Sequence, residues 1–447
     1  MPAAIHIRNA RILSLDAAVG DLPEGDIVVE GGTISRIGRR LRAPGARTVD
    51  AAGMIAMPGF VNAHLHTWQT GIRGIAGNWS IPQYLAAMHA RIAPRYTAED
   101  TYIANLVGAL NQIACGATTV FDWCHNNATP AHSDAAIDGL EESGVRAVFG
   151  HGSPKPDAKP GAPPYSHIPH PRGEIERLRK GRLASGDARV TLAMAALGPD
   201  FSTFEVTEHD FRLAREYGLT ISAHSWGAPT RLNRNGYRRL AKRGLLGPDH
   251  NLVHGNFLGD AELKLLVDHG VSVTVTPEVE LQMSHGTPLT GRLRALGARP
   301  SLGVDVESNI SGDMFTVMRM ALQTQRALDN KRTARTGAAA ELSIPPREAL
   351  EWATIEGARA LGLEDRIGSL APGKAADLIL IDGSHINLFP VHDAVESVVF
   401  HANPSNVDTV MIGGRIVKRG GRLRYRGLRA KQEALAESAR RILGNGV

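Results

Sequence analysis

The sequence is poor in cysteine and lacks any long apolar run. Its 447 residues include only two cysteines, Cys115 and Cys124, which are too few for a disulfide framework. No run of 18 apolar residues occurs, and no basic segment followed by an apolar one opens the chain. We therefore predict a reduced, cytoplasmic protein without a membrane partner.

The chain also lacks a strong excess of one charge. Its 50 basic and 45 acidic residues leave a formal net charge of +5, and the arginines are scattered along the sequence. A solvated surface explains this pattern better than a nucleic-acid footprint does. We predict a small-molecule substrate and no nucleic-acid partner.

One short segment carries the strongest chemical signal. Residues 57–66 read MPGFVNAHLH, an apolar strand that ends in His64 and His66. Alternate side chains of a strand point to the same side, so both imidazoles could reach one metal ion. The segment therefore predicts a metal site at the end of a strand.

The middle of the chain alternates apolar strands with amphipathic helices, such as the one predicted over residues 98–114. This alternation predicts a parallel (β/α)₈ TIM-like barrel of the α/β class, for which 447 residues suffice. Its eight strands are predicted at residues 55–61, 118–122, 146–150, 190–196, 219–224, 251–254, 271–276 and 300–305.

Both ends of the chain are rich in short strands with Gly-Gly turns, at residues 31–32 and 413–414. This similarity predicts one discontinuous β-sandwich domain closed by both termini. The predicted division is residues 1–56 for its N-terminal part, 57–366 for the barrel, and 367–447 for its C-terminal part with a terminal helix.

Active sites of such barrels lie at the carboxyl ends of the strands. Three imidazoles and one carboxylate there would suit Zn²⁺ or Fe²⁺, with one position left for water. The polar residues at the predicted strand ends are His64, His66, Asp122, His224, His254 and Asp305.

Two motifs make the chain resemble the amidohydrolase superfamily, within its cytosine deaminase and triazine hydrolase-like branch. One is residues 58–66, and the other is residues 368–378, GSLAPGKAADL, which resemble the family's return into its β-sandwich. The resemblance implies one catalytic metal ion and a homo-oligomer, a dimer or tetramer. The implied ligands are His64, His66, His224 and Asp305.

The resemblance also implies roles for two residues. Asp305 would be both a ligand and the base that deprotonates the metal-bound water, and His254 would orient the water or the substrate. Dinuclear members use a bridging lysine or glutamate at the fourth strand, but residues 190–196 contain neither. A mononuclear centre is therefore favoured.

One departure from the family concerns the proton donor. Deaminating relatives carry His-x-x-Glu after the fifth strand, whereas Gly227 occupies the glutamate position here. Glu278 and Glu280, near the same rim, are candidate replacements or ligands for a cationic substrate group. The alternative for both is a solvated or salt-bridged loop carboxylate.

Several other residues after the predicted strands are candidates for substrate binding. Tryptophan faces stack well on flat rings, although helix–barrel packing is the alternative explanation for them. The candidates are Trp68, Gln69, Trp79, Trp123, His125, Trp226, Gln282 and His285.

A proline-rich segment follows the third predicted strand. Residues 151–173 contain seven prolines and begin with His151, a weaker candidate for substrate binding. The segment is either a substrate lid or subunit contact, or an irregular surface insertion.

The predicted function is metal-dependent hydrolysis of a non-peptide C–N bond, with deamination of a planar heteroaromatic or cyclic amidine compound as the leading reaction. Hydrolysis of an amide, or of another leaving group such as halide on an activated ring, is the enzymatic alternative. A catalytically silent scaffold is the alternative of another class.

Overall fold

The computed structural model describes residues 4–227, 231–337 and 342–444. The predicted domain segments also include residues 1–3, 228–230, 338–341 and 445–447, which lie outside the described residues. Among the described helices, none has the length and apolar character needed to cross a lipid bilayer.

The chain forms two compact units that are both discontinuous in sequence. One comprises residues 1–62, 110–119 and 313–426, and the other comprises residues 63–109, 120–312 and 427–447. The boundaries predicted at residues 56 and 366 remain a prediction.

The described residues form seventeen strands. In chain order, β1 to β17 are Ile5–Ile12, Leu22–Glu30, Thr33–Gly38, Arg47–Asp50, Met54–Pro58, Phe60–Leu65, Ala117–Cys124, Arg146–Gly152, Val190–Ala196, Ile221–Ser225, His250–His254, Ser272–Val275, Ser301–Leu302, Leu378–Asp382, Val407–Ile412, Arg415–Arg419 and Arg422–Leu423.

The described residues also form fifteen α-helices. In chain order, α1 to α15 are Ile81–Tyr84, Ala98–Ala114, Pro130–Ser143, Arg172–Lys180, Gly198–Phe201, Phe204–Glu216, Gly236–Lys242, Asp260–Asp268, Pro277–Gln282, Thr290–Ala295, Met314–Thr336, Pro346–Trp352, Ile355–Ala360, Ala394–Glu396 and Leu428–Leu443. Short 3₁₀ or π segments occupy Thr67–Ile72, Leu85–Ile92, Ala93–Arg95, Tyr165–His167, Ser397–His401 and Pro404–Asn406.

The terminal strands form one nine-stranded sheet from both ends of the chain. Its path runs β17-β16-β15-β14-β5-β1-β2-β3, and β4 pairs with β1. Alternate apolar side chains from both chain ends share one core because strand side chains alternate between the two faces. That core includes Ile7, Ile27, Leu378, Leu380 and Met411.

The second sheet is the predicted eight-stranded barrel, with β6 to β13 as neighbours in chain order. A parallel bridge between Leu65 and Asp305 brings its first and last strands together. Strands such as β7 and β8 are buried along their whole length, as a barrel covered on both faces requires. The predicted fold class is confirmed.

The prediction of a single first barrel strand over residues 55–61 is wrong. Two strands occupy this region, and β5 pairs with β14 in the terminal sheet whereas β6 belongs to the barrel. Both strands are apolar and only Gly59 separates them, so their apolar pattern cannot distinguish them. A Cβ at Gly59 would lie 2.1 Å from Thr118, which explains why the junction needs glycine.

Candidate metal centre and active site

The end of β6 presents the first two imidazoles of the site. His64 lies within the strand and His66 follows it directly, so the two side chains point to the same side. Their ring centroids are 4.8 Å apart, and both residues are buried. The predicted pairing of these histidines is therefore present.

Closure of the barrel brings Asp305 to this pair. Its backbone N–H donates to the His64 carbonyl over 2.9 Å, and its carbonyl accepts from the His66 N–H over 2.8 Å. Its Oδ1 lies 3.2 Å from His64 Nε2 and 3.4 Å from His66 Nε2. Asp305 has a φ of 73°, a left-handed conformation that an aspartate adopts at a cost and that functional sites often hold.

Two further histidines converge from the ends of β10 and β11. His224 Nε2 lies 3.2 Å from His64 Nε2, and His254 Nε2 lies 3.7 Å from Asp305 Oδ2. One potential ligand atom from each of these four residues lies within 4.8 Å of the others. His66 contacts the same carboxylate, so all five predicted residues surround one point.

Electrostatics favour the protonation states that metal ligands need. Burial lowers the pKa of His64 and His224, and it lowers the pKa of His66 to about 3. Burial opposes ionisation of Asp305, but hydrogen bonding to His64 and the surrounding imidazoles hold its pKa below the usual range. The cluster therefore offers neutral imidazoles at His64, His66 and His224 and an ionised carboxylate at Asp305.

The arrangement of the donor atoms fits a divalent metal ion. His66 Nδ1 lies 2.6 Å from the Trp123 carbonyl, which can only accept, so this nitrogen carries the proton. The unprotonated Nε2 then faces Asp305, as a metal ligand must. The close approach of His64 Nε2 and His224 Nε2 is what two ligands aimed at one ion would produce, and this nitrogen and oxygen donor set suits Zn²⁺ or Fe²⁺.

Glu280 and Thr276 contact the Nδ1 side of the His254 ring. Its Nδ1 lies 3.2 Å from Glu280 Oε1 and 3.1 Å from Thr276 Oγ1. Glu280 is fully buried and also accepts from the Thr276 N–H and the Asn256 side chain. A carboxylate that accepts the Nδ1 proton directs Nε2 of His254 toward Asp305.

A cavity opens over the cluster, and the empty space in it and its open mouth amounts to about 440 Å³. Its walls combine four of the cluster residues with apolar, aromatic and titratable side chains. The lining residues are His66, Ile81, Tyr84, Leu85, His89, His125, Lys155, Phe201, His224, Trp226, His254, Met283, His285, Asp305 and Val306.

The model of the amidohydrolase family matches residues 55–417, which is well over half of the chain. The chain belongs to the amidohydrolase family. The match includes every residue of the cluster and of the cavity wall.

Two relatives of this amidohydrolase are named as deaminases. The 5'-deoxyadenosine deaminase of Methanosarcina mazei is 28% identical, with 93% of each chain covered. The 5-methylthioadenosine/S-adenosylhomocysteine deaminase of Pelotomaculum thermopropionicum is 30% identical, also with 93% of each chain covered.

A solved structure shares the fold of this amidohydrolase. It is the atrazine chlorohydrolase of Arthrobacter aurescens TC1 complexed with zinc, at 21% identity and a TM-score of 0.85. The alignment covers 97% of this chain and the whole of that one.

Three of the eight predicted substrate-binding residues of the amidohydrolase line the cavity, namely His125, Trp226 and His285. Trp123 is buried, and its ring lies 4.4 Å from that of His224, centroid to centroid. Trp123 therefore packs against His224, one of the predicted ligands. Asp122, its neighbour on β7, faces the other way and accepts from the Thr67 N–H and the Asn105 side chain.

The other four predicted residues do not line the cavity. Trp68 is buried and donates from Nε1 to His125 Nδ1 over 3.3 Å. Gln69 is buried between the Tyr84 hydroxyl and Ser308. Trp79 is half-buried, and Gln282 is exposed and donates to the Gly77 carbonyl. These positions follow strands in the chain, but their side chains point elsewhere.

The backbone at Gly227 excludes an acid at that position. Its φ is 70°, and an added Cβ would lie 2.6 Å from the backbone nitrogen of Leu258. Asp200 fixes this turn, since its Oδ2 accepts from the Trp226 and Gly227 N–H groups over 2.8 and 2.9 Å. A glutamate here would require the turn to be rebuilt.

The two candidate replacements for that acid lie outside the cavity wall. Glu280 is committed to His254, and Glu278 accepts from the Ser311 hydroxyl over 3.0 Å. Both belong to α9, where residues two apart point in nearly opposite directions.

Sequence reasoning missed several cavity residues, including Tyr84, His89, Lys155, Phe201 and Met283. Tyr84 and His89 come from the segment after the first strand, and Lys155 from the proline-rich segment. None belongs to a motif with a recognisable spacing. The proline-rich segment itself was a signal, because it followed a barrel strand and carried two lysines, Lys155 and Lys159.

Proposed function

We propose that this amidohydrolase binds one metal ion through His64, His66, His224 and Asp305 and deaminates a planar heteroaromatic amine. The observation that carries the proposal is a buried cluster at the floor of the cavity, in which His64, His224, His254 and Asp305 converge and His66 contacts the same Asp305 carboxylate. The predicted enzyme class, a hydrolase of C–N bonds other than peptide bonds, is confirmed by the family match and the named relatives.

A divalent metal ion is the expected cofactor, and we propose zinc, because the solved relative contains it; Fe²⁺ is the alternative. When bound, such an ion lowers the pKa of water from about 16 toward 7 and polarises the bond under attack. Asp305 would accept the proton of the attacking water. His254, fixed by Glu280, would orient the water or the substrate.

The substrate class follows from the cavity wall. Trp226 and Phe201 lie with their ring centroids 5.4 Å apart, and apolar residues such as Ile81 and Met283 complete the wall. Flat faces of this kind suit a flat ring. Since the two relatives above act on adenine nucleosides, we propose 6-aminopurine nucleosides as the first substrates to test.

The test is a substrate screen on the purified, metal-loaded protein. We expect ammonia release from at least one of 5'-deoxyadenosine, 5'-methylthioadenosine and S-adenosylhomocysteine, with a product whose mass shows oxygen in place of the amino group. Chloro- and aminotriazines test the alternative leaving groups in the same assay. A screen in which only flexible acyclic amides react would contradict the proposal.

Replacing Glu280 should weaken catalysis without removing the metal. We expect Glu280→Gln to lower kcat/KM by about tenfold to a hundredfold, since residues that orient those at a metal have effects of this size. The amide would present a donor to Asn256 Nδ2, which now donates to the carboxylate. Steady-state kinetics with metal analysis check this.

The matched control is Glu278→Gln on the same helix, where the carboxylate contacts Ser311 outside the cavity wall. We expect a change below about threefold, within the range of surface substitutions. If Glu278→Gln lost as much activity as Glu280→Gln, the orienting role of Glu280 would be contradicted. That result would instead support the hypothesis from the sequence that these glutamates replace the missing proton donor.

The localisation, the oligomeric state and the small-molecule ligand of the cavity stay proposals. We propose a cytoplasmic homo-oligomer, dimer or tetramer, whose active-site cavity binds a small molecule. Halide or amide hydrolysis remains the alternative reaction.

A further inference from the structure

The proposed deamination needs a proton donor that the predicted residues do not provide. Water adds to a ring carbon only if the neighbouring ring nitrogen takes up a proton as its electron density rises. Gly227 cannot supply it, and Glu278 and Glu280 are outside the cavity wall. The donor must therefore come from another cavity residue.

Three further imidazoles of the wall are poor donors. His125 Nδ1 accepts from Trp68 Nε1 and its Nε2 lies 3.3 Å from His89 Nε2, so these two rings already contact each other. Burial lowers the pKa of His285 to about 4. Burial raises the pKa of Tyr84, which weakens its hydroxyl as an acid. Among the described residues that line the cavity, Lys155 is the one lysine or arginine.

The Lys155 ammonium lies over aromatic rings close to the ligand cluster. Its Nζ is 5.5 Å from the ring centroid of Trp123 and 4.8 Å from that of Phe201. The same Trp123 ring contacts His66 and His224, so the indole ring lies between the Lys155 ammonium and these two proposed ligands.

Among the residues that the structure describes, Lys155 also has no competing partner. Within residues 4–227, 231–337 and 342–444, its Nζ forms no ion pair and no hydrogen bond. An ammonium held on aromatic faces without a carboxylate keeps its protons available to a ligand. Burial lowers its pKa to about 8, an effect that Asp305 partly opposes, so it is protonated at neutral pH yet more acidic than an ordinary lysine.

The surrounding chain holds Lys155 in place. Pro154 and Pro156 flank it and restrict the backbone. The segment starts from β8 and returns at His170, whose ring contacts that of His151 over 2.9 Å and whose N–H donates to Asp210. The proline-rich segment is thus anchored at both ends and presents its lysine to the cavity.

From this geometry we propose that Lys155 is the catalytic proton donor that replaces the glutamate missing at Gly227. The inference rests on the proposed deamination. As water adds, its oxygen bonds to the ring carbon, its proton goes to Asp305, and the ring nitrogen takes the C=N electron pair together with a proton from Lys155. The amino group then leaves as ammonia with the C–N electron pair and the proton from Asp305. The neutral Lys155 recovers its proton from the new C–OH group as that group becomes a carbonyl.

Two substitutions at Lys155 separate proton donation from charge. Lys155→Met removes both, whereas Lys155→Arg keeps the positive charge but cannot give up a proton near neutral pH. We expect both variants to lose at least about a hundredfold in kcat with 5'-deoxyadenosine, the lower end of the effect of a general acid. Metal content and the unfolding temperature, measured alongside, should match the wild type.

A second substrate separates acid catalysis from a structural defect. In 6-chloropurine 5'-deoxyriboside the ring carbon is already electron-poor, so both variants should lose less than about tenfold there. Near-wild-type activity of Lys155→Arg with 5'-deoxyadenosine would overturn the proposal, and so would equal losses on both substrates. Inactivity of the wild type on every amine would instead refute the proposed deamination.

Discussion

The Asp305→Ala variant is expected to lose turnover by about 10⁴-fold or more, because the proposed reaction uses this carboxylate twice. Asp305 contacts both histidines of the first strand, and its pKa lies below the usual range, so it is ionised at neutral pH. As a ligand it would help to hold the ion, and as a base it would accept the water proton. General-base catalysis alone accounts for about 10² to 10⁴.

Asp305→Asn tests the role of Asp305 as the base separately from its role as a ligand. An amide oxygen can still face the metal but cannot accept the proton, so activity should fall by at least about a hundredfold even where metal is retained. Kinetics normalised to bound metal measure this. A suitable control is Asp26→Asn, since Asp26 is buried in the terminal sheet, where it accepts from the Asn9 and Leu41 N–H groups. Full activity of Asp305→Asn at normal metal content would contradict the assignment of Asp305 as the base.

Removing the metal is expected to abolish activity and to lower the unfolding temperature. Treatment with a chelator should leave less than about one hundredth of the turnover, and added Zn²⁺ should restore it. An ion that binds only the folded state at a thousand times its Kd stabilises that state by about 4 kcal/mol. Calorimetry with and without chelator, alongside metal analysis, measures both effects.

Single ligand substitutions show which imidazoles hold the ion. His64→Asn, His66→Asn and His224→Asn should each lose most of the bound metal. His254→Asn should retain the metal but lose activity, because His254, whose Nδ1 contacts Glu280, is proposed to orient the water or the substrate and not to bind the ion. His285→Asn is the control for metal content, as its ring lies on the cavity wall beside the cluster. Loss of metal in His254→Asn with retention in His66→Asn would reverse the assignment of these two residues.

The barrel was predictable because its strands carry their signal locally. Residues 190–196 were predicted as a strand with the observed ends, and the helix over residues 98–114 was predicted in the same way. The last barrel strand was less well defined, since residues 300–305 contain only the short strand Ser301–Leu302 followed by the bridge at Asp305. A short strand that closes a barrel depends on its neighbours more than on its own pattern.

The direction of the two glutamate side chains after the seventh strand could not be predicted from the sequence. Glu278 and Glu280 occupy one helical turn and looked equivalent in sequence. A helix advances about 100° per residue, so side chains two positions apart point in almost opposite directions. Glu280 is buried against His254, whereas Glu278 contacts Ser311 outside the cavity wall. Which of the two faced inward depended on how α9 packs.

The sequence by itself determined the kind of chemistry, through His64, His66, His224, His254 and Asp305. Residues at the ends of parallel strands meet at one rim whatever the intervening loops do. The tertiary structure alone decided the wall of the cavity and the place of Lys155. Loop side chains follow no fixed period, and their directions depend on anchors such as the His151–His170 contact, which joins residues 19 positions apart.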